Sequence, residues 1–254
     1  AQRMLPAINS AWDSAINQMK EAGSSEKDIE LAKEFLKPLR EVAEATLKEG
    51  IVDGGAILTV YGGLHVVAGG RIADGNKLAS SLKQAYSKIP SGKPSEPKIT
   101  FDASKYKNVT FHTGSAPLPP NANDEAKKVF GDQVKFIIGT ADKAIYVAVG
   151  AECESRLKAF LDKNEGSKLD KTTPMELHTD MAPIMAYVNT IQSNPMLQMM
   201  TEKLQEFSSI DSVGVSTMII PNGMICRTTI EEGVLRAAGS AAKAGNNGGN
   251  RGGF

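Results

Sequence analysis

The chain has 254 residues, 41% of them hydrophobic, enough for a sizeable core in one large or two ordinary domains. Its 29 basic residues balance 29 acidic ones, so no global field draws it to nucleic acid, an anionic membrane or an acidic substrate. No run approaches the ~18 apolar residues of a membrane-crossing helix, and Cys153 and Cys226 lack the C-x-x-C spacing of a zinc or redox site.

In chain order, apolar residues at Met4, Ile8, Ala11, Trp12, Ala15, Ile16 and Met19 predict a helix over 4–19, ended by Gly23-Ser24-Ser25. Ser25, with Asp28 three positions on, caps a second helix whose stripe runs through Ile29, Phe35, Leu39, Val42 and Leu47, with a kink or break expected at Pro38. Next come a strand at 56–61, a turn at Gly62-Gly63, a strand at 64–68 and a helix carrying Leu78, Leu82 and Tyr86. A connector rich in turn formers follows at 90–97. Short strands are predicted at 98–102 and 108–113, a loop with three prolines at 116–123 and a short helix at 124–130.

The strand–turn–strand–helix pattern then returns: 136–140, a turn at Asp142-Lys143, 144–149, and a helix carrying Cys153, Leu157, Phe160 and Leu161. After a polar connector at 164–173 come a strand at 175–178, a helical stretch to Ile191, a break near Asn194-Pro195 and a helix over 196–207. The pattern appears a third time: 213–220, a turn at Asn222-Gly223, 224–230, and a helix from Glu232 carrying Leu235, Ala238 and Ala242. From Gly62 to Asp142 is 80 positions, and from Asp142 to Asn222 is again 80.

This periodicity predicts an α+β protein of three repeated β-α-β-β-α units of roughly 80 residues, with mainly antiparallel sheet covered by helices. The units fall at 1–90, 97–165 and 172–244, ahead of a Gly/Asn-rich tail at 245–254 that cannot order itself without a partner. Met4-Leu5-Pro6-Ala7-Ile8 parallels Met181-Ala182-Pro183-Ile184-Met185, so the chain is expected to begin inside a repeat whose opening strand lies upstream. With Ala1 in place of an initiator Met and no signal peptide, it reads as mature, trimmed or recombinant.

His112 and His178 occupy matching places, Phe111-His112-Thr113 and Leu177-His178-Thr179, each followed by Ala-Pro. A residue repeated in this way is expected to hydrogen-bond a strand-to-helix corner, while a neutral imidazole also makes each a weak site candidate, and His65 a weaker one. Ser80/Lys83 and Ser155/Lys158 match S-x-x-K without its companion motifs and read as wet helix surface. The glycines at 62–75 fit no phosphate-binding pattern and are assigned to turns and close packing. Cys153 and Cys226 read as two buried free thiols, or as a disulfide joining the second and third units.

Met181, Met185, Met196, Met199 and Met200 make core filling or a contact for an apolar ligand or partner. No catalytic residue, cofactor site or metal site is assigned. The layout of repeated hairpin-plus-helix units with an Ala/Gly/Asn-rich tail resembles that of large uncharacterised exported bacterial proteins. The resemblance implies a secreted or cell-envelope protein of non-enzymatic character, a structural or assembly scaffold that binds a protein partner or itself. A periplasmic carrier or sensor of an apolar ligand, and a hydrolase using His112 or His178, are the alternatives.

Overall fold

The computed structural model describes residues 5–21, 23–61, 63–89, 97–118, 122–166, 174–192 and 195–248. In chain order they form α1 (Leu5–Glu21), α2 (Glu26–Glu49), β1 (Gly54–Thr59), β2 (His65–Arg71), α3 (Gly75–Ser87), β3 (Lys98–Tyr106), β4 (Val109–Pro117) and α4 (Asp124–Phe130). There follow β5 (Gln133–Ala141), β6 (Ala144–Val149), α5 (Cys153–Lys163), β7 (Met175–Asp180), α6 (Met181–Ile191), α7 (Pro195–Glu206), β8 (Ser212–Ile220), β9 (Gly223–Ile230) and α8 (Glu232–Gly248). The protein is α+β, and every strand pairing among the described residues is antiparallel.

The chain divides into two compact units, one taking in Ala1–Thr59, Gly63–Ala122 and Phe130–Glu165, the other Val60–Gly62, Asn123–Val129 and Gly166–Phe254. The first unit holds a six-stranded sheet in the order β1-β2-β6-β5-β4-β3. Both of its faces carry helices. On one, Val67, Phe111, Ile137 and Ala148 pack with Leu157 and Leu161 of α5. On the other, Ile145 and Phe101 pack with Leu78 and Leu82 of α3 and Val42 of α2. Residues 145 and 148 of one strand thus serve opposite cores, as the two-residue alternation of a strand requires.

Local chemistry fixes the ends of these elements. The Ser25 hydroxyl accepts from the Asp28 N–H at 3.2 Å and starts α2, and Gly50, left-handed at φ 79°, ends it by donating its N–H to Leu47 O. The helix continues without interruption through Pro38, so the expected break does not occur. A proline lacks the N–H that would reach the carbonyl four residues back, and the packing of Leu39 and Val42 against α3 holds the helix across that gap. Asp74 caps α3 by accepting from Lys77 N at 2.8 Å. Gly75, the first residue of α3, sits against the β5–β6 turn, where a Cβ would come 1.9 Å from Ala141 O. The Thr46 hydroxyl accepts from Ala73 N at 2.9 Å, and Lys143 reaches Ala73 O and Glu49, tying α2, α3 and that turn together.

Strands β3 and β4 differ from expectation. They run to Tyr106 and Pro117 rather than stopping at Asp102 and Thr113, and β3 carries a register shift between Thr100 and Ser104, with Asp102 at φ 53°. A β-bulge of this kind bends the strand and leaves backbone groups unpaired.

The second unit holds a three-stranded sheet in the order β7-β8-β9. Its core lies among helices: Ala182 of α6, Leu204 of α7 and Ala237 of α8, with Met181, Met185 and Val234 against them. Asp211, buried just before β8, takes Met181 N on its carbonyl and Ala182 N on its carboxylate, supplying α6 with a cap from a distant segment. Residues 245–248, expected to be unordered tail, extend α8. The rest of the tail, most of the 90–97 and 164–173 connectors, Asn194, Gly62 and the start of the chain at Ala1 lie outside the described residues. No helix among the described residues is long and apolar enough to cross a membrane.

Candidate functional site

His112 sits in the middle of β4, fully buried, rather than at a strand end. It faces the bulge in β3. Its Nδ1 accepts the Asp102 N–H at 3.0 Å, an N–H that the bulge has taken out of the strand ladder. The other nitrogen, Nε2, therefore carries the proton and donates to Thr140 Oγ1 at 3.0 Å. Burial holds the ring's pKa below its ordinary value of 6.5, with the Lys83 ammonium acting in the same direction and Asp102 opposing. Lys83, hydrogen-bonded to Asp102, in turn keeps that carboxyl below its usual range. The expected corner role is thus corrected to a bulge-filling one, because the three bulged residues of β3 stand opposite His112.

His178 is placed differently. It lies exposed on β7, with Nε2 3.1 Å from Asp180 Oδ1, so the matching His-Thr segments do not give matching environments. His65, at the start of β2, is buried with its Nδ1 close against Gly150. Neither S-x-x-K match brings serine and lysine into a reactive pair. The Ser155 hydroxyl donates to Glu152 O while Lys158 pairs with Glu154 at 2.7 Å, and Lys83 belongs to Asp102. No group of three or more His, Cys, Asp or Glu among the described residues is placed to hold a metal ion.

Both cysteines are free thiols. Cys153 is buried and Cys226 exposed, which corrects the expectation that both are buried and leaves no disulfide between them. Burial pushes the Cys153 thiol up from its usual pKa, against hydrogen bonds from backbone N–H groups at the start of α5. That thiol lies at a cavity of about 690 Å³ whose wall also presents Lys98, Thr113, Lys135, Ser155 and Lys158. Of the five methionines singled out above, Met181 and Met185 pack on the α6–α7–α8 core, while Met196 is exposed.

The most unusual surface was not visible in the sequence. The registers of the three-stranded sheet align Met175, Leu177 and Thr179 of β7 with Thr217, Val215 and Val213 of β8, and these with Cys226, Thr228 and Ile230 of β9. Ile219 and Met224 complete the row. Residues directly opposite in an antiparallel pair point to the same side, so all of these share one face, which carries no charged side chain. Met175, Leu177, Ile219, Met224 and Ile230 on it are each about half exposed, from 47% to 62%. Clustered exposure of large apolar side chains marks an interaction surface rather than the scattered apolar residues of any protein exterior. The signal was the alternation within 213–219 and 224–230, but only the strand pairing shows that the two rows and that of β7 coincide.

No protein-family profile matches the chain, and no curated protein does.

Proposed function

We propose that the chain is a non-enzymatic scaffold of the bacterial cell envelope or exterior that binds protein through the open apolar face of the β7–β8–β9 sheet. The observation that carries this reading is that face itself, with five large apolar side chains turned to solvent and no charge among them. The commitment of both His112 nitrogens to neighbouring groups speaks for a structural histidine rather than a catalytic one. The resemblance in layout to exported repeat proteins supports a place outside the cytoplasm. A threefold repeat belongs to this reading: β1-β2-α3, β5-β6-α5 and β8-β9-α8 are taken as versions of one hairpin-plus-helix unit, in line with the 80-residue spacing of their turns.

The carrier alternative has less behind it, since the cavity beside Cys153 mixes Lys98, Lys135 and Lys158 with apolar Phe136 and Ile137, and none of its lining comes from the methionine-rich third unit on which that alternative rests. The test is a photo-reactive amino acid at Ile219, and separately at Leu177, in the full chain expressed in cells that make it. Irradiation is expected to give a discrete protein adduct at both positions and none from an exposed position off this face, such as Glu202. No adduct at either position would refute the reading.

A further inference from the structure

We propose that β9 is a self-assembly edge, pairing antiparallel with β9 of a second copy of this chain about a two-fold axis at Cys226. The proposal rests on the scaffold reading above and adds self-assembly through the edge of the same sheet, which joins two apolar faces side by side.

Among the described residues, strand β9 has β8 as its only partner, and all eight of its residues are exposed. Its backbone polarity follows from the hairpin. The two-residue loop of Pro221 and Asn222 closes on the pair Ile220–Gly223. Such a closing pair exchanges both hydrogen bonds, so Gly223, Ile225, Arg227 and Thr229 bond to β8. Met224, Cys226, Thr228 and Ile230 then turn their N–H and C=O groups to the free edge, and these four also carry their side chains on the apolar face.

The other edges are blunted in the ways that prevent pairing. β3 has its bulge and the charges of Lys98, Asp102 and Lys105. β7 presents Glu176, His178 and Asp180, and β1 is weakened by Gly54 and Gly55. β9 has no proline, no lysine and no bulge, and Arg227 is its single charge. The chain already makes this kind of join internally: β2 and β6, each the second strand of a hairpin, pair antiparallel across six residue pairs.

Symmetry and charge choose the register. Two copies in one continuous sheet are related by an axis perpendicular to it, which keeps the faces distinct and passes midway between the two copies of one β9 residue. An axis at Arg227 would set Arg227 against Arg227, a like-charge pair that costs stability. An axis at Cys226 pairs Gly223–Thr229 of the two copies, places Met224 opposite Thr228 of the second copy and sets Arg227 beside Ile225. The opposed Cys226 residues form a hydrogen-bonded pair with Cα atoms ~5.5 Å apart, within the span of a disulfide. With equal numbers of basic and acidic residues, two copies meet without net repulsion.

The experiment uses the full chain. Sedimentation is expected to show a dimer, and mild oxidation to give a disulfide-linked dimer that disappears in Cys226→Ser. Thr228→Pro removes an N–H facing the free edge, which a strand edge tolerates, and leaves the pairing with β8 in place. It is expected to weaken dimerisation about tenfold or more, with the circular-dichroism melt of the monomer unchanged. If Thr228→Pro fails to fold, Cys226→Arg, which sets like charges across the axis at an exposed position, is expected to give a monomer. A monomer at roughly 100 µM, or crosslinking through Cys226 that Thr228→Pro leaves untouched, overturns the proposal. A monomer that still yields an Ile219 adduct to a different protein overturns self-pairing and leaves the scaffold reading standing; a dimer with no adduct at Ile219 or Leu177 refutes the protein-binding face and leaves the edge pairing standing.

Discussion

Replacing His112 by phenylalanine tests whether this ring is held for structure. Phenylalanine keeps the ring volume but can neither accept the Asp102 N–H nor donate to Thr140 Oγ1, both now at 3.0 Å. Each neutral hydrogen bond contributes about 1 kcal/mol, and a buried group left unpaired costs about 1–3 kcal/mol. Thr140 is buried and pays the larger share, while Asp102 is an exposed residue of the edge strand β3 and its N–H bond to His112 is part-buried. The sum is about 2–4 kcal/mol, or about 5–15 °C in Tm for a chain of this length. Urea unfolding at pH 7.5 reads it directly. A His112→Phe protein within about 0.5 kcal/mol of the parent would refute the assignment.

The same substitution predicts a change in pH dependence. Because burial lowers the native pKa of His112 below 6.5, the unfolded chain takes up a proton that the native ring resists. The parent's stability is therefore level, as far as this group goes, above pH 6.5 and falls below it until the native ring also protonates. Asp102, whose pKa is lowered from 3.8 by Lys83, contributes in a separate and more acid window. In His112→Phe the decline beginning near pH 6.5 should vanish while the more acid one remains. A decline of unchanged size would show that another group supplies it.

Two further predictions use backbone packing and the thiols. Gly75→Ala drives a Cβ into Ala141 O and Ala144 O and should cost more than about 2 kcal/mol, whereas Gly239→Ala in α8, with nothing within 4 Å, should gain about 0.5–1 kcal/mol in chemical denaturation. In the native protein a water-soluble thiol reagent should label Cys226 at once and Cys153 only after denaturant is added, since burial keeps Cys153 as a thiol; equal labelling rates would contradict the placement of Cys153 in the core.

The hairpins were legible because they rest on chain-local signals. An apolar run marked Ala144–Val149 to the residue and Asp142-Lys143 set its turn, while the third hairpin turns one residue earlier than the expected Asn222-Gly223, at Pro221-Asn222, with Gly223 opening β9. The α4 boundaries and the Ser25 cap were equally readable. What escaped depends on neighbours distant in sequence. The bulge at Thr100–Ser104 exists because His112 fills it, and nothing in Lys98–Tyr106 alone announces a histidine on the next strand. Pro117 was read as loop, yet as the last residue of β4 it can sit at a strand terminus without donating to the ladder. The charge-free face needed three registers at once, and none of them follows from composition.

The contrast between the two sheets explains why that face stays open. Val67, Phe111, Ile137 and Ala148 share one face of the first sheet and α5 buries all four, whereas of Val213, Val215, Thr217 and Ile219 on β8 Thr217 is buried, the valines are partly buried and Ile219 is exposed. In the second unit the helices spend their apolar stripes on one another. Ala182, Leu204 and Ala237 meet in a common core, and the small side chains at 182 and 237 let α6 and α8 approach α7 closely. A helix turned toward its neighbours in this way cannot also roof three strands. The apolar row from Leu177 to Met224 then retains the composition of a core while lying at the surface, and burying it against a second surface gains about 25 cal/mol for each Å² of apolar area covered. A sheet so composed is completed by association, and the edge without bulge or lysine is where another strand can join it.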